Sequence, residues 1–377
     1  MFSYYDQLMV AIVSNTAGID PRASFNSMIG DVTPSLQDGS SFIAAQRTLP
    51  VSPVTDRLRI PRLFDTAPSC VYRQLPVHGA TTSDTGTGTP PLPRPLYANF
   101  NSFIKDAAEK KWSERGTLLV LSRHGTSLFN RVKDINGTNN SPLIKDGETE
   151  AGQLAETLSP LEIDMIYASP LERARRSAEM IAETLGPDLP VFYNADLEEF
   201  ERGILAGRPK NMSSREIDVF FAKFKDPDFR DTFQKKYALT TAEVHIVLTE
   251  MLHHRRQLQA YAHQAGLTED QFVDQVLQCE QQMDCRPPLG ESWRDGITQA
   301  KKFVSSKIDR HTSGSILIVG HSMSLSSMVW TLLGYDINSI KQLDAIKQAP
   351  AGVTVVWKDP STKKWELLVL NSSCLGE

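Results

Sequence analysis

The chain has 377 residues, of which 40% are hydrophobic and 23% are charged. These are ordinary globular proportions, which exclude collagen-like, coiled-coil and wholly disordered chains. The 40 basic and 45 acidic residues give a formal net charge of −5, so no global attraction for nucleic acid is expected. No apolar run approaches the roughly 20 residues that span a bilayer. The run at 8–13 lacks the basic flank of a signal peptide, and we expect a cytoplasmic protein.

The cysteine spacing adds to this expectation. Cys70, Cys279, Cys285 and Cys374 show neither a C-x-x-C motif nor the spacing of a zinc site. Disulfide frameworks are typical of short secreted chains. The sequence therefore predicts four reduced thiols.

The chain divides into two regions of different composition. Residues 1–112 are rich in Ser, Thr, Pro and Gly and show no sustained apolar period, which predicts an N-terminal extension with a linker at 76–95. Residues 113–377 carry much stronger signals of secondary structure. Within them, 208–286 contains no strand signal, and its apolar faces predict an all-helical insertion.

Apolar runs and helical patterns alternate through the rest of the second region. Strands are predicted at 118–121, 163–168, 191–193 and 316–319, with helices at 171–185 and 293–308 between them. This alternation predicts an α/β three-layer sandwich with a mainly parallel sheet flanked by helices. Residues 353–357 and 365–369 flank a turn and predict a closing hairpin.

Two histidines and several charged residues follow the predicted strands. Ligands of open α/β sheets bind beyond the carboxyl ends of strands, where the sequence places Arg123, His124, Arg173 and His321. A fixed cation beside His124 repels a divalent metal and attracts phosphate, so we expect no metal. Acidic side chains follow the third strand at Glu198, Glu199 and Glu201.

Four strings in this order resemble one family. RHGTSLFN, SPLERARRSA, LEEFERGILAG and PPLGESWRD followed by IVGHS are similar to the motifs of the histidine phosphatase superfamily, in its phosphoglycerate mutase-like branch 1. The resemblance covers residues 116–207 and 287–370, on either side of the predicted insertion. It implies a phosphoglycerate mutase-like fold for the sandwich, with the insertion and an irregular N-terminal extension added.

The resemblance also implies roles for five residues. His124 is the nucleophile that becomes phosphohistidine, Arg123 and Arg173 hold the phosphoryl oxygens, and His321 completes the pocket. Glu199, four residues before the first glycine of its motif, is the proton donor. Phosphoryl transfer needs positioning and charge stabilisation, which two guanidiniums and imidazole supply without a metal or cofactor.

Three further residues are candidates for substrate binding. Asn130 occupies the family's phosphate-contacting Asn position, and Ser127 and Ser322 lie beside the two histidine motifs. Thr126 departs from the family, which often has Glu directly after Arg-His-Gly.

The expected activity is that of a histidine acid phosphatase-type phosphomonoesterase, a hydrolase acting on a small phosphorylated substrate or a phosphoprotein. Two alternatives stay open: a sugar-phosphate mutase or bisphosphatase, and a silent phosphate-binding module. In the insertion, His253, His254, Arg255 and Arg256 fan out around a helix, a pattern that favours a solvated face.

Overall fold

Six strands form one sheet in the computed structural model, which describes residues 94–132, 139–209, 212–338 and 340–373. Almost all of the predicted extension and linker lies outside these residues. The sheet has the order β3-β2-β4-β1-β5-β6. Its strands are β1 (Thr117–Arg123), β2 (Met165–Ala168), β3 (Val191–Tyr193), β4 (Gly314–Gly320), β5 (Gly352–Lys358) and β6 (Trp365–Ser373).

Helices occupy most of the remaining described residues. They are α1 (Phe100–Lys110), α2 (Trp112–Arg115), α3 (Leu128–Val132), α4 (Lys145–Leu158), α5 (Glu172–Leu185), α6 (Ser214–Lys223), α7 (Pro227–Tyr237), α8 (Thr241–Gln264), α9 (Glu269–Glu280), α10 (Trp293–Phe303), α11 (Ser322–Leu332) and α12 (Ile340–Asp344). None of these helices is long and apolar enough to cross a membrane.

Four strands are parallel, as the alternation predicts. β1 pairs with β4, β4 with β2 and β2 with β3, all in parallel. β5 and β6 form the predicted antiparallel hairpin, and β5 pairs antiparallel with β1. The carboxyl ends of the parallel strands and the beginning of β5 therefore lie at one edge of the sheet.

Both faces of the sheet are covered. Leu118 and Val120 of β1 pack in one cluster with residues of α4 and α5, whereas Leu119 and Leu121 pack in a second cluster with residues of α10 and α11. Successive side chains of a strand point to opposite faces, so a continuous apolar run is what a doubly covered strand requires. This arrangement confirms the predicted three-layer sandwich.

Part of the predicted extension packs into the core of this sandwich. Phe100 and Phe103 of α1 are fully buried in the same cluster as Val120. The backbone N–H of Tyr97 donates to the carbonyl of Leu368 in β6 at 2.8 Å. The Asn99 side chain accepts from the N–H of Ser102 and caps α1. The described residues from 96 to 110 are thus integral to the sheet domain.

The described part of the insertion is helical throughout, as predicted. The residue contacts divide the chain into two units, and the described residues of one of them are Phe220–Gln234. Within that segment, the rings of Phe220, Phe224 and Phe233 lie 4.9–5.5 Å apart. In the other unit, α8 and α9 pack on Ile204 and Leu205, and α9 begins with the predicted Thr268 capping box.

The predicted solvated face on α8 is wrong for two residues. His254 is 8% exposed and Arg255 is 4% exposed. Arg255 forms ion pairs with Asp218 at 2.8 Å and Glu269 at 2.5 Å. Burying this guanidinium is tolerated because carboxylates from two other segments neutralise it, and single-sequence periodicity contains no sign of them.

The prediction of four reduced thiols is wrong for two of them, and Cys70 and Cys374 lie outside the described residues. Cys279 and Cys285 form a disulfide, with their Cα atoms 5.3 Å apart. α9 ends at Glu280, and the chain turns back within five residues, which brings the two Cα atoms into the range of roughly 4.4–6.8 Å that a disulfide requires.

We expect Phe103→Ala to destabilise the protein by about 3–5 kcal/mol, the usual cost of truncating a buried phenylalanine. The free energy of unfolding measured in urea would show this loss. Lys105→Ala on the exposed side of the same helix is the control and should change it by under ~0.5 kcal/mol. Equal stability of the two variants would show that α1 does not belong to the core.

Candidate active site

The histidine and arginine motifs meet at the carboxyl edge of the parallel strands. β1 ends at Arg123 opposite Gly320, the last residue of β4. The N–H of His124 donates to the Gly320 carbonyl at 3.0 Å. His321 follows β4 directly, and the ring centroids of the two histidines lie 5.0 Å apart.

The protonation of His124 follows from its hydrogen bonds. Its Nδ1 lies 2.7 Å from the carbonyl oxygen of Gly125. A carbonyl only accepts, so Nδ1 carries the proton and Nε2 holds a lone pair in the neutral ring. The Nε–H of Arg173 donates to that Nε2 at 3.1 Å. Burial, with Arg173 and Arg123 nearby, lowers the pKa of His124 well below its usual 6.5. The ring is therefore neutral at neutral pH, with the lone pair on Nε2.

Two guanidiniums, one buried and one half-buried, lie near the histidine pair. Arg173, on the first turn of α5, is 1% exposed, and its Nη1 donates to the carbonyl of Asn139 at 2.7 Å. Burial lowers its pKa to about 10, a change that the charge of Glu199 opposes. The Nη1 of Arg123 donates to the carbonyl of Gln348 at 2.9 Å, and burial lowers the pKa of Arg123. Arg173 thus stays charged at neutral pH, and the pair forms a cationic site suited to phosphate oxygens.

His321 is completely buried and rests on Ser169. Its Nε2 lies 2.8 Å from the Ser169 Oγ. That oxygen accepts from the N–H of Leu171 at 3.2 Å, and its hydroxyl hydrogen is left to donate to Nε2. Its Nδ1 has no partner among the described protein atoms. Burial, Arg173 and His124 lower the pKa of His321 well below 6.5. Nδ1 is therefore the ring nitrogen left for a bound ligand.

Among the three acidic candidates, Glu199 lies by the N-terminus of α11. Its Oε2 accepts from the N–H of Met323 at 3.4 Å, and its charge acts on both Arg123 and Arg173. Glu201 instead accepts from the N–H of Gly203 at 3.3 Å. The charge of Glu198 also raises the pKa of Arg173, but less than that of Glu199 does.

The predicted substrate-binding residues have local partners. The Asn130 Oδ1 accepts from the N–H of Ser127 at 3.3 Å and from its hydroxyl at 2.9 Å, so the two side chains pair with each other. Ser322 is the first residue of α11 and is half-buried. Thr126 donates its N–H and hydroxyl to Glu150 at 2.6 and 2.8 Å. The binding roles of Ser127, Asn130 and Ser322 stay predictions.

Sequence reasoning missed four residues that support the cluster. Ser169 holds His321, and Ser177 accepts from the N–H of Gly125 at 3.1 Å while donating to the carbonyl of Arg173. The sequence offered a signal for both serines, because Ser169 directly follows β2 and Ser177 lies one helical turn after Arg173. Asn139 and Gln348 contribute backbone carbonyls, which no residue type reveals. Across the described segments, no group of three or more His, Cys, Asp or Glu could hold a metal ion.

Folding stability should fall as the pH drops from 6.5. His124, His321 and His254 have lowered pKa values, about 4 for His254 because of burial and His253. Below pH 6.5 these three rings bind protons in the unfolded chain but stay unprotonated in the folded protein. Each ring therefore lowers the free energy of unfolding by about 1.4 kcal/mol per pH unit, until the pH reaches its pKa in the folded protein.

Urea unfolding between pH 7.5 and pH 4.5 would measure this slope. His254→Gln should reduce this slope by about 1.4 kcal/mol per pH unit, which corresponds to one proton. His263→Gln, at an exposed position of the same helix, is the control and should leave the slope unchanged. A His254→Gln protein with the wild-type slope would contradict the lowered pKa of His254.

Comparison with known proteins agrees with this geometry. Residues 119–267 and 259–373 match the model of the histidine phosphatase superfamily (branch 1). Over 90 residues, the chain is 40% identical to "Probable phosphoglycerate mutase GpmB" of Citrobacter koseri, a match that covers 24% of this chain and 41% of that protein. The protein of the same name from Klebsiella pneumoniae is 40% identical over 98 residues, 26% of this chain and 45% of that protein. The chain thus spans less than half the length of these relatives.

Similar solved structures include a mycobacterial glucosyl-3-phosphoglycerate phosphatase complexed with VO3, at 19% identity and a TM-score of 0.44, covering 68% of this chain and 99% of that one. The alpha-ribazole phosphatase of Shigella flexneri has 19% identity and a TM-score of 0.43, covering 69% and 98%. The family model extends over more than half of the chain, which therefore belongs to branch 1 of the histidine phosphatase superfamily.

Proposed function

We propose that this chain is a phosphatase that hydrolyses phosphomonoesters through a phosphohistidine on Nε2 of His124, without a metal or cofactor. One observation carries the proposal: Nε2 bears the lone pair of a buried neutral imidazole, and the guanidinium of Arg173 lies against it. A cation at that position would draw a phosphoryl group to the nucleophile.

In the first step, the Nε–H of Arg173 moves from Nε2 to a phosphoryl oxygen, which frees the lone pair. Nε2 then forms a bond to phosphorus while the bond from phosphorus to the leaving oxygen breaks. The carboxylic acid of Glu199 gives its proton to that oxygen. The Nδ1–H of His124 stays bonded to the Gly125 carbonyl, which stabilises the positive charge that the ring acquires. Arg123 and Arg173 donate to phosphoryl oxygens. His321 does so in the tautomer that accepts the Ser169 hydroxyl at Nε2 and carries its proton on Nδ1.

In the second step, water attacks phosphorus and the bond from phosphorus to Nε2 breaks. The Glu199 carboxylate accepts the proton of that water, which restores both the acid and the neutral imidazole. The N–H of Met323 and the start of α11 stabilise the carboxylate between the two steps.

Hydrolysis is proposed over mutase chemistry because of Thr126. Its N–H and hydroxyl are both engaged by Glu150, at the position where the family often has an acidic residue. The names of the curated relatives point to a phosphoglycerate mutase. A mutase would transfer the phosphoryl group back to an organic hydroxyl, so release of inorganic phosphate with one equivalent of free alcohol distinguishes the two reactions.

We also propose a cytoplasmic location for the enzyme and a small phosphorylated metabolite as its substrate. The Cys279–Cys285 disulfide is more typical of an oxidising compartment. Cell fractionation, with thiols alkylated during lysis, would measure both the location and the redox state of this pair. Recovery of the enzyme only in an exported fraction would contradict the location.

We expect phosphate on His124 when the enzyme is quenched within milliseconds of mixing with p-nitrophenyl phosphate. Mass spectrometry under basic conditions, which preserve phosphohistidine, would locate it. His124→Ala should lose the adduct and at least about 10³-fold of kcat/KM, since the nucleophile defines the pathway. Phosphate trapped on another residue would refute the assignment.

Glu199→Gln should slow the phosphorylation step most for esters with poor leaving groups. An alkyl phosphate needs the proton on its leaving oxygen, and general acid catalysis contributes about 10²–10⁴-fold there. A p-nitrophenolate leaves without that help, so its burst phase should suffer much less. Pre-steady-state rates for both esters would give the comparison.

Glu198→Gln is the matched control because it makes the same change one residue away. It should lack the dependence on the leaving group. Equal losses on both esters for Glu199→Gln, or the dependence at Glu198 instead, would show that the acid is misassigned.

A further inference from the structure

The segment 199–204, which begins with the general acid Glu199, is held by the last residue of α9. The Glu280 carboxylate accepts from the Nε–H and the Nη2–H of Arg202, at 2.8 and 2.6 Å. An ion pair with two parallel hydrogen bonds fixes both the distance and the orientation of a guanidinium. The Glu280 side chain is only 9% exposed. Because Arg202 follows Glu199 by three residues, this pair restrains the segment close to the general acid.

Glu280 also reaches this segment through Trp293. Its backbone carbonyl accepts from the indole Nε1–H of Trp293 at 2.8 Å. The Trp293 ring lies edge-on to Phe200, with the two ring centroids 5.3 Å apart. Phe200 directly follows Glu199 and is 3% exposed. One residue of the insertion is thus connected to the segment twice, by its side chain and by its backbone.

The stretch of chain just before α10 holds the same segment. Arg202 and Gly290 form an isolated antiparallel bridge. The N–H of Glu291 donates to the Glu201 carbonyl at 2.9 Å. The position of the segment therefore depends on how the end of α9 and this stretch lie relative to each other.

The disulfide between Cys279 and Cys285 connects these two supports. Cys279 directly precedes Glu280, and Cys285 lies in the turn that leads to α10. Cys285, Phe200 and Arg202 line the same small void. α9 ends at Glu280, and the ends of helices fray. The disulfide therefore restrains the last turn of α9 and keeps the Glu280 carboxylate against Arg202.

We infer that Glu280 is a positioning residue for the general acid Glu199, and that the disulfide makes this positioning depend on the redox state of the enzyme. With the disulfide formed, Arg202 is held and Glu199 lies where the leaving oxygen needs its proton. With the cysteines reduced, the end of α9 loosens, and a displacement of about 1 Å can cost about 10²-fold at a reacting centre. The inference rests on the proposed function, because it assumes that Glu199 is the proton donor.

A dithiol reductant would open the disulfide in two exchange steps. One thiolate of the reductant attacks the Sγ of Cys285, which is half-buried, whereas Cys279 is 8% exposed. The bond to the Cys279 Sγ breaks, and that sulfur leaves with the electron pair and takes up a proton. The second thiolate then attacks the reductant's own sulfur in the mixed disulfide and releases Cys285. The reductant ends as a disulfide, having given up the two electrons that reduce the cysteines.

The test compares the oxidised and reduced enzyme in a background with Cys70→Ser and Cys374→Ser, which leaves Cys279 and Cys285 as the only cysteines. Dithiothreitol reduces the pair, and mass spectrometry after alkylation measures the reduced fraction. We expect reduction to lower the phosphorylation rate about tenfold for glycerol 3-phosphate, but less than about twofold for p-nitrophenyl phosphate. The alkyl ester needs the proton of Glu199, whereas p-nitrophenolate leaves without it. A merely structural loss would slow both esters alike.

Two variants separate the disulfide from the carboxylate. Cys279→Ser combined with Cys285→Ser should behave as the reduced enzyme and should not respond to dithiothreitol. Glu280→Gln, which removes the charge from its ion pair, should show the same selective loss with the disulfide intact. Asp284→Asn is the matched control, because it makes the same acid-to-amide change between the two cysteines, on a side chain that is 76% exposed and pairs with Arg294. It should keep the ratio of the two rates that the oxidised enzyme shows.

The two proposals fail in different ways. If hydrolysis of p-nitrophenyl phosphate does not depend on His124, or Glu199→Gln shows no dependence on the leaving group, the proposed function fails and the positioning inference falls with it. If both of those results hold, but the ratio of the two rates is the same in the oxidised and reduced enzyme, or Glu280→Gln leaves it unchanged, only the positioning inference is overturned. A response to dithiothreitol that persists in the variant without both cysteines would overturn it as well.

Discussion

The hydrogen bond from Arg173 to Nε2 of His124 is the interaction on which the candidate site depends. It places a buried cation against a buried imidazole, and these two groups could not both be charged in so dry a setting. The imidazole is therefore neutral, with its proton fixed on Nδ1 by the Gly125 carbonyl. The same arrangement leaves an excess of positive charge, which a phosphoryl dianion would balance.

The fold supplies this contact through the connections of its parallel strands. β2 ends one residue before Ser169, and α5 begins three residues later, so Arg173 falls on the first turn of that helix. One turn further along, Ser177 accepts from the Gly125 N–H and donates to the Arg173 carbonyl. The hydroxyl therefore ties α5 to the loop after β1 and sets the distance between guanidinium and imidazole.

Sequence reasoning could find the part of this site that lies on regular elements. Apolar runs marked β1 and β4, and their last residues placed His124 and His321 at one edge. It could not find contacts made by the backbone of loops, such as the carbonyls of Asn139 and Gln348. It misjudged the exposure of His254, because burial on an added helix depends on surfaces distant in sequence. It misjudged the redox state of Cys279, because the pairing with Cys285 depends on how the chain turns after α9.

Asn139 connects the candidate site with the helical insertion. Its carbonyl holds Arg173, a residue of the family motif, and its amide contacts His254, a residue of the insertion. The two functional groups belong to one residue, so a contact with α8 and a contact with the guanidinium meet at Asn139. α8 is therefore linked through this one residue to the Arg173 guanidinium. The geometry around Arg173 and His124 therefore depends on a residue that the sheet domain and the insertion share.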